Sequence, residues 1–286
     1  ELVNGGKSDI NITLDTDIDL TGKDWTPIGT DYDNSYKGTF DGGGHTITGL
    51  TFTTNDEYAG LFGWLNRAGT VKNVVMEGVQ ITSNQIYGGS IGGVVGYSWG
   101  TIENCSVSGS VSGTVYVGGV VGVQRDGSIT GCSSSATVKG TIKVGGVAGQ
   151  TIFGATLTAC YATGNVNIEI DRTQDISGGG LVGFNDGISL LSCYATGNVT
   201  STGSSTGYVH IGGFLGDNYI TVTACYWKNN HEQGIGYNRK STGATKVDGT
   251  DVTWQNAVDA MNTALQDAGS EWRYELNGAL PTLRKQ

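Results

Sequence analysis

The side chains of this chain that could do acid–base or metal chemistry are few and scattered. It has three histidines, His45, His210 and His231, and no two of them have the spacing of metal ligands. Neither a G-x-S-x-G motif nor a phosphate-binding P-loop occurs. We interpret the histidines as surface or turn residues, so the sequence predicts no catalytic residue, no metal site and no cofactor.

Three aspartates offer an alternative. A polysaccharide lyase or glycosidase would need acids, or a basic side chain, clustered on one face of the fold. Asp126, Asp186 and Asp217 follow copies of a glycine motif, at offsets of 4, 3 and 1 residues from its last glycine, but these copies are not successive. Turn chemistry explains Asp186, which lies in an Asn-Asp-Gly sequence. The sequence therefore favours a non-enzymatic protein and keeps a carbohydrate-active enzyme as the alternative.

A second group of carboxylates lies near the start of the chain. Asp15, Asp17 and Asp19 alternate and would share one strand face, with Asp31 and Asp33 in the next loop. Oxygen ligands in such a group could hold Ca²⁺. An acidic edge that discourages pairing with other strands explains the same pattern, and we favour that interpretation.

The glycine motif belongs to a repeat that organises most of the chain. Units of 26 to 34 residues are rich in Gly, Val, Ile and Thr, with apolar residues at alternate positions, which is strand patterning. A period of this size indicates a solenoid, and the shortest units fall below the ~40 residues of a propeller blade. The copies end at Gly63, Gly96, Gly122, Gly149, Gly183 and Gly216.

These observations predict an all-β fold. We expect a single-stranded, right-handed parallel β-helix (β-solenoid) of about seven coils with about three short strands each. One domain, residues 1–286, would comprise an N-terminal cap and first coil (1–58), the repeats (59–229) and a C-terminal loop, helix and cap (230–286). Apolar periodicity predicts a capping α-helix over residues 254–268, which we expect to cover the end of the last coil.

Five cysteines occupy one equivalent position in five repeats. Their spacings of 27, 28, 33 and 32 residues are unlike those of disulfide frameworks or metal sites, and Val74 takes the same place in the first repeat. We predict a column of small, buried, unpaired side chains. Its members are Cys105, Cys132, Cys160, Cys193 and Cys225.

An aromatic column follows the last three cysteines. Tyr161, Tyr194 and Tyr226 come directly after them, and Trp227 follows the last tyrosine. If the cysteines point inward, the tyrosines point outward, with a spacing of about 4.8 Å. An exposed strip of this kind predicts a binding site for sugar rings or for a protein. A stack that only stiffens the sheet, or one covered by a loop, is the alternative.

Composition limits the partners. The 286 residues carry a net charge of −10, which disfavours nucleic acid and anionic membranes. No apolar run approaches the ~18 residues of a membrane span. The sequence begins at Glu1, and we expect a removed signal or lipid anchor and an extracellular or cell-surface location. The oligomeric state stays open.

The repeats resemble a known family. GGLVGFN at residues 179–185 and its copies are similar to the GLUG motif of bacterial surface and secreted proteins, including adhesins and regions of IgA-cleaving metallopeptidases. The opening DTDIDLTGKDWTPIG and the closing WRYELNGALPTL resemble segments that flank such repeats. The resemblance implies an adhesion module that binds an extracellular glycan or a host or microbial surface protein. The peptidases' H-E-x-x-H motif is absent, so no catalytic residue is carried over, and a passive stalk is a further alternative.

Overall fold

The computed structural model describes residues 2–172, 174–240 and 243–286. The chain winds into a parallel β-solenoid of about seven turns, as the sequence predicts. Each full coil passes in turn through four sheets, which we number 1 to 4 in the order in which the chain meets them. The prediction of three strands per coil is wrong because the central glycines of the motif bend the chain between Tyr116–Gly118 and Val121–Gln124, so one motif makes two strands.

The strands of the four sheets have the following bounds within the described residues. Sheet 1 contains Ile12–Thr13, Thr39–Asp41, Thr70–Lys72, Thr101–Glu103, Ser128–Thr130, Thr156–Thr158, Ser189–Leu191 and Val222–Thr223. Sheet 2 contains Ile18–Asp19, Thr46–Thr48, Thr51–Thr54, Val75–Ser83, Ser106–Ser112, Ser133–Ser134, Thr137–Gly140, Tyr161–Ala162, Val166–Arg172, Tyr194–Ala195, Val199–Ser205, Tyr226–Trp227 and Thr245–Lys246. Sheet 3 contains Tyr58–Ala59, Ser90–Gly92, Tyr116–Gly118, Lys143–Gly145, Ile176–Gly179 and Val209–Gly212. Sheet 4 contains Phe62–Leu65, Val95–Ser98, Val121–Gln124, Ala148–Ile152, Val182–Asp186, Leu215–Asn218 and Ile235–Asn238.

Like residues lie over like residues inside the solenoid. In sheet 1, Ile102 pairs with Ile129 in register, and Leu157 pairs with Leu190. These side chains are buried, and a single coil could not bury them alone, so each coil depends on its neighbours.

The cysteine column is buried and its thiols are free, as predicted. The sulfur also has a polar role that valine could not fill. The backbone N–H of Cys105 donates to Sγ of Cys132 at 3.4 Å, and that of Cys160 donates to Sγ of Cys193 at 3.3 Å. The thiols therefore satisfy corner amides that the strand pairing leaves over.

Both ends of the chain differ from the prediction. Residues 1–58 hold the first coil and also strands of the second, beginning with Thr39–Asp41. In the segment predicted as a loop, Ile235–Asn238 pairs with sheet 4 and Thr245–Lys246 with sheet 2. Polar residues dominate this stretch, so its few paired positions lack the apolar alternation that would reveal them.

The C-terminal helix forms as predicted, but it does not pack on the end of the last coil, where the sequence predicts it. It spans Trp254–Asp267, and a capping box between Thr253 and Asn256 begins it. The antiparallel hairpin Trp272–Glu275 and Thr282–Lys285 follows it. Together they form a second apolar core against the corner between sheets 1 and 2, so they cover a flank of the solenoid and not its end.

Candidate functional site: a groove along the glycine motif

The tyrosine column does not form the exposed strip that the sequence predicts. The side chain of Tyr194 is only 1% exposed. Its ring packs edge-on against Trp254 at 5.2 Å, and its hydroxyl donates to the carbonyl of Pro281 at 2.6 Å. Tyr161 stacks on Tyr194 with ring centroids 4.9 Å apart and an angle of 3°. The rings are in register as expected, but the C-terminal helix and hairpin cover them.

Trp227 and Tyr226 fit the predicted strip no better. Trp227 is 7% exposed and points into the solenoid, where its indole N–H donates to the carbonyl of His231 at 3.4 Å. Tyr226 is half-buried at the edge of the C-terminal core. The prediction of a flat sugar platform at these four residues is therefore wrong in its premise of exposure.

A different surface runs along the corner between sheets 3 and 4, where the glycine motif bends the chain. The residue before each motif and the residue after it face each other across this corner. The rings of Tyr58 and Trp64 are 4.6 Å apart, and Nδ1 of His210 lies 2.7 Å from Oδ1 of Asp217. Because outward side chains of the two strands converge, the corner is concave. The side chains line it in a row parallel to the solenoid axis, and several of them are buried in it.

We call this surface the motif groove and define it by two columns of residues. The sheet 3 column is Tyr58, Ser90, Tyr116, Lys143, Ser177 and His210. The sheet 4 column is Trp64, Tyr97, Val123, Gln150, Phe184, Asp217 and Tyr237. At about 4.8 Å per coil, the sheet 4 column spans about 29 Å.

The concave corner explains why the motif ends in glycine. A Cβ on Gly149 would lie 2.6 Å from the backbone nitrogen of Val117, and one on Gly96 would lie 2.7 Å from the carbonyl oxygen of Ser90. The sheet 3 backbone thus passes directly over the closing glycine. A side chain there would fill the corner and push the two strands apart.

Aromatic rings crowd the N-terminal end of the groove. Trp64 and Tyr97 stack at 4.3 Å with an angle of 19°, and Tyr58 packs edge-on against both. Trp99 meets Trp64 edge-on at 5.9 Å, and Tyr32 contacts both indoles. We call Tyr32, Tyr58, Trp64, Tyr97 and Trp99 the aromatic cluster.

Two local devices position this cluster. Tyr97 and Trp99 are two residues apart on one strand and its extension, so both point outward while Ser98 points inward. Tyr32 lies in a loop that the carboxylate of Asp31 holds, because its Oδ1 accepts the backbone N–H of Asp33 and Asn34, each at 3.0 Å. The side-chain amide of Asn34 also donates to this carboxylate, and it lowers the pKa of Asp31 more than the backbone hydrogen bonds do.

The aromatic cluster combines exposed faces with unused donors. Tyr32 is 55% exposed, whereas Trp64 is buried. In the part of the chain that the structure describes, the indole N–H groups of Trp64 and Trp99 are buried without a hydrogen-bond partner. Such a donor costs about 1–3 kcal/mol when it stays unpaired. Because both N–H groups are buried, the surface that the cluster presents for stacking is the exposed ring of Tyr32 beside the half-buried ring of Trp99.

Cations lie over rings in and beside the groove. Nζ of Lys143 is 4.2 Å from the ring centre of Phe184 and 5.3 Å from that of Tyr116. The guanidinium of Arg125 lies 5.4 Å from the Trp99 ring, next to the aromatic cluster. Burial lowers the pKa of Lys143, and the charge of Asp217 acts in the opposite direction.

The C-terminal end of the groove holds a histidine–aspartate pair. Asp217 is 4% exposed, and its carboxylate accepts hydrogen bonds from Oγ of Ser177 and from Nδ1 of His210. The imidazole is stacked between Tyr208 and Tyr237. A buried carboxylate that holds Nδ1–H leaves Nε2 as a base, but Ser177 bonds to the carboxylate and not to the imidazole, so this is not a nucleophilic triad.

Sequence reasoning missed this pair. The sequence indicates a surface or turn position for His210. It places Asp217 with Asp126 and Asp186 after copies of the motif, and it does not bring His210 and Asp217 together. The available signal was position, since HIGGFLGD places the two residues directly before and after one copy of the motif. Side chains at those two positions also meet in the coil of Tyr58 and Trp64.

Two of the other candidate carboxylates have structural partners. Asp126 pairs with Arg67 at 2.9 Å. Asp17 accepts the backbone N–H of Thr46 in the next coil at 2.9 Å and lies 3.3 Å from Nδ1 of His45. Among residues 2–172, 174–240 and 243–286, no group of three or more His, Cys, Asp or Glu side chains could hold a metal ion.

Comparisons with known proteins define first the fold and then the repeat. A crystal structure at 1.30 Å of "a putative immunoglobulin A1 protease from Bacteroides ovatus" superposes with a TM-score of 0.71 over 97% of this chain and 86% of that one. At 21% identity, this likeness shows the shared fold alone. The GLUG motif is matched at residues 87–112 and 113–139, so the chain carries GLUG repeats.

Two longer proteins share parts of the chain. Halomucin from Haloquadratum walsbyi is 40% identical over 108 residues, which is 37% of this chain and 1% of that protein. A "Putative Gly-rich membrane protein" from Evansella cellulosilytica is 38% identical over 100 residues, 32% of this chain and 11% of that protein. The chain thus spans a small fraction of either relative. Among its own described helices, none has the length and apolar character needed to cross a bilayer.

Proposed function

We propose that the protein is a non-enzymatic binding module of the cell surface or extracellular space, and that it binds glycan chains along the motif groove. The observation that carries the proposal is the aromatic cluster, with the exposed ring of Tyr32 next to the half-buried ring of Trp99. Aromatic faces pack on the apolar faces of sugar rings, and a few placed donors fix the hydroxyl groups.

The comparisons support the location. The GLUG repeats, and the relatives named as a mucin and as a membrane protein, favour a surface or extracellular setting. An elongated solenoid with a lengthwise groove suits a linear polymer. A host or microbial surface protein is the other partner to test, because aromatic surfaces also bind proteins.

An enzyme is the second candidate, and the His210–Asp217 pair is the observation that favours it. A glycosidase would need two carboxyl groups about 5–9.5 Å apart, whereas Asp217 is the one carboxylate in the two columns. A lyase, with His210 as the base, is the more suitable enzymatic reading of this pair. Incubation with acidic and neutral polysaccharides, followed by an assay for unsaturated or reducing ends, separates it from binding alone.

A glycan and matrix-protein array tests the binding proposal. We expect Tyr32→Ala and Trp99→Ala to weaken glycan binding about tenfold each, which corresponds to about 1.4 kcal/mol. Tyr87→Ala is the matched control, because Tyr87 is 80% exposed and lies outside the groove. Equal binding by all three variants would refute the proposed site, and failure of the wild-type protein to bind any arrayed ligand would favour a passive stalk.

A further inference from the structure

Lys143 is a half-buried cation in the motif groove. Most charged pairs of the molecule join a lysine or arginine to a carboxylate, as Lys72 does with Asp41 at 3.2 Å. Within the described ranges, no carboxylate oxygen lies within 4.0 Å of Nζ of Lys143. Unpaired lysines such as Lys23 and Lys37 are exposed, so water solvates them. Lys143 has lost part of that hydration without gaining an anion.

The rings around Lys143 compensate for only part of this loss. A cation over an aromatic face gains about 0.5–2 kcal/mol, whereas burying an unpaired charge costs several kcal/mol. Phe184 and Tyr116 also hold the ammonium in place, because they contact it from both sides of the groove. The cation is thus pre-positioned in the middle of the groove.

The groove supplies no carboxylate within ion-pair distance of Lys143, although the charge of Asp217 acts on it from farther along the groove. The sheet 4 residues in register with the coils around Lys143 are Val123 and Gln150, which are uncharged. Asp217 lies farther along the column, and its two oxygens already accept hydrogen bonds from Ser177 and His210. A direct ion-pair partner for Lys143 would therefore have to come from outside the chain.

A second unpaired cation lies beside the aromatic cluster. The guanidinium of Arg125 packs over Trp99 and lies 4.4 Å from the ring centre of Phe153. It too has no carboxylate partner within the described residues. Since the chain as a whole carries a charge of −10, it has no general attraction for polyanions. These cations are local features of one face.

We infer that the motif groove binds an acidic glycan, with a carboxylate or sulfate of the sugar chain against the Lys143 ammonium and a sugar ring on the aromatic cluster. This inference rests on the proposed glycan-binding function and adds the class of ligand. Lys143 lies three coils from Tyr58, a distance of about 14 Å at the strand spacing. One ligand must therefore span several sugar units to reach both places.

Matched polymers test the inference. We would measure binding of polygalacturonate and its methyl-esterified form, and of dextran sulfate and dextran, by calorimetry with the full chain. These two pairs distinguish a carboxylate from a sulfate. We expect at least tenfold tighter binding of one acidic polymer than of its neutral form. Lys143→Gln should remove most of that preference, because it should weaken binding of the acidic form far more than binding of the neutral form. The control Lys23→Gln should change neither.

Several results would overturn it. Equal affinity of the wild-type protein for acidic and neutral forms would refute the preference for acidic glycans, but it would not refute glycan binding. An equal loss for both forms in Lys143→Gln, with a lowered melting temperature, would show that Lys143 is only structural. Comparable binding of single-stranded DNA would mean that the cations bind any polyanion and do not recognise an acidic glycan. Binding of no polymer at all would overturn the proposed function as well.

Discussion

The hydroxyl of Tyr274 donates a hydrogen bond of 2.9 Å to the backbone carbonyl of Ser192, 82 residues earlier in the chain. Ser192 has a φ of 51°, in the left-handed region, and its own hydroxyl donates to the carbonyl of Met261 at 2.9 Å. A non-glycine residue in this conformation costs about 1–2 kcal/mol. The C-terminal helix and hairpin therefore bind the solenoid at a strained corner.

That corner is left-handed in the five repeats that have a cysteine and in the first repeat, where Val74 takes its place. The residue directly before the column position has a φ between 48° and 65° in all six coils. Where the corner is open, the residue is asparagine, which tolerates this region. Where the C-terminal segment covers it, the residue is small. The six are Asn73, Asn104, Gly131, Ala159, Ser192 and Ala224.

The contact between Gly131 and the hairpin gives a first prediction. A Cβ on Gly131 would lie 2.6 Å from Cη2 of Trp272. Gly78 has almost the same φ, 66° against 65°, but nothing within 4 Å of its Cβ position. We expect Gly78→Ala to lower the free energy of unfolding by about 1–2 kcal/mol through backbone strain. Gly131→Ala should cost at least about 1 kcal/mol more, because it also overpacks the contact with Trp272.

Urea denaturation followed by tryptophan fluorescence measures both values. Equal losses for the two variants would contradict the packing of Trp272 against this corner.

The second prediction concerns a buried polar ladder at the inner side of sheet 4. Asn185 accepts the hydroxyl of Thr151 at 2.6 Å and donates to Asn218 at 2.8 Å. Asn185→Ala would leave both neighbours without these bonds, so we expect a loss of about 2–3 kcal/mol in the free energy of unfolding. Asn198→Ala, at an exposed position, should change it by less than about 0.5 kcal/mol. A small effect at Asn185 in calorimetry would show that the ladder is not maintained.

The third prediction concerns the thiols. All five are buried, and burial raises the pKa of Cys132, Cys160 and Cys193 above the usual range. Because the thiolate is the reactive form, we expect none of the five to react with a thiol-specific disulfide reagent at pH 8 in the folded protein. All five should react in denaturant. A fast-reacting thiol under native conditions would contradict the inward column.

The fourth prediction is a loss of stability at high pH. Burial raises the pKa of Tyr36 to about 12, and its hydroxyl donates to the carbonyl of Ile10 at 2.9 Å. An unfolded tyrosine titrates near ~10. Because the folded state holds the proton more tightly, this stability is fully present below pH ~10 and is lost as the pH rises toward about 12, by up to ~1.4 kcal/mol per pH unit.

Burial raises the pKa of Tyr194 and Tyr274 in the same direction. Tyr36→Phe should therefore reduce the fall in the free energy of unfolding with rising pH, whereas Tyr87→Phe should leave that fall unchanged. We would measure the free energy of unfolding from about pH 9 to about pH 12. An unaltered slope of this free energy against pH in Tyr36→Phe would refute the assignment to Tyr36.

The sequence predicts those parts of the fold that depend on a single column or a single helix. Ile102, Ile129 and Leu157 repeat at a fixed offset, so their stacking could be read directly. The helix could be predicted because Val258, Met261 and Leu265 fall on one face, and these are the residues that the structure buries. Handedness of the coil stays a prediction from the general preference of parallel crossovers.

Contacts between distant segments could not be predicted. Alternation places Tyr194 on the outer side of its strand, but it cannot show that Pro281 and Tyr274 will cover that side. The meeting of His210 with Asp217 depends on whether the motif corner is concave or convex, which neither periodicity nor spacing reveals. Glycine at the closing position is the one local hint, since it marks where another backbone passes close by.

The motif groove has one consequence for variation in this architecture. Backbone hydrogen bonds between coils set the spacing of its residues along the axis. The coils themselves differ in length, because Val166–Arg172 and Val199–Ser205 extend sheet 2 on the side away from the motif corner. Insertions there lengthen a coil without moving its groove residues. Each coil therefore contributes two groove residues, one from sheet 3 and one from sheet 4, at a constant spacing along the solenoid axis. Substitutions at these positions can change which ligand the groove binds without changing that spacing.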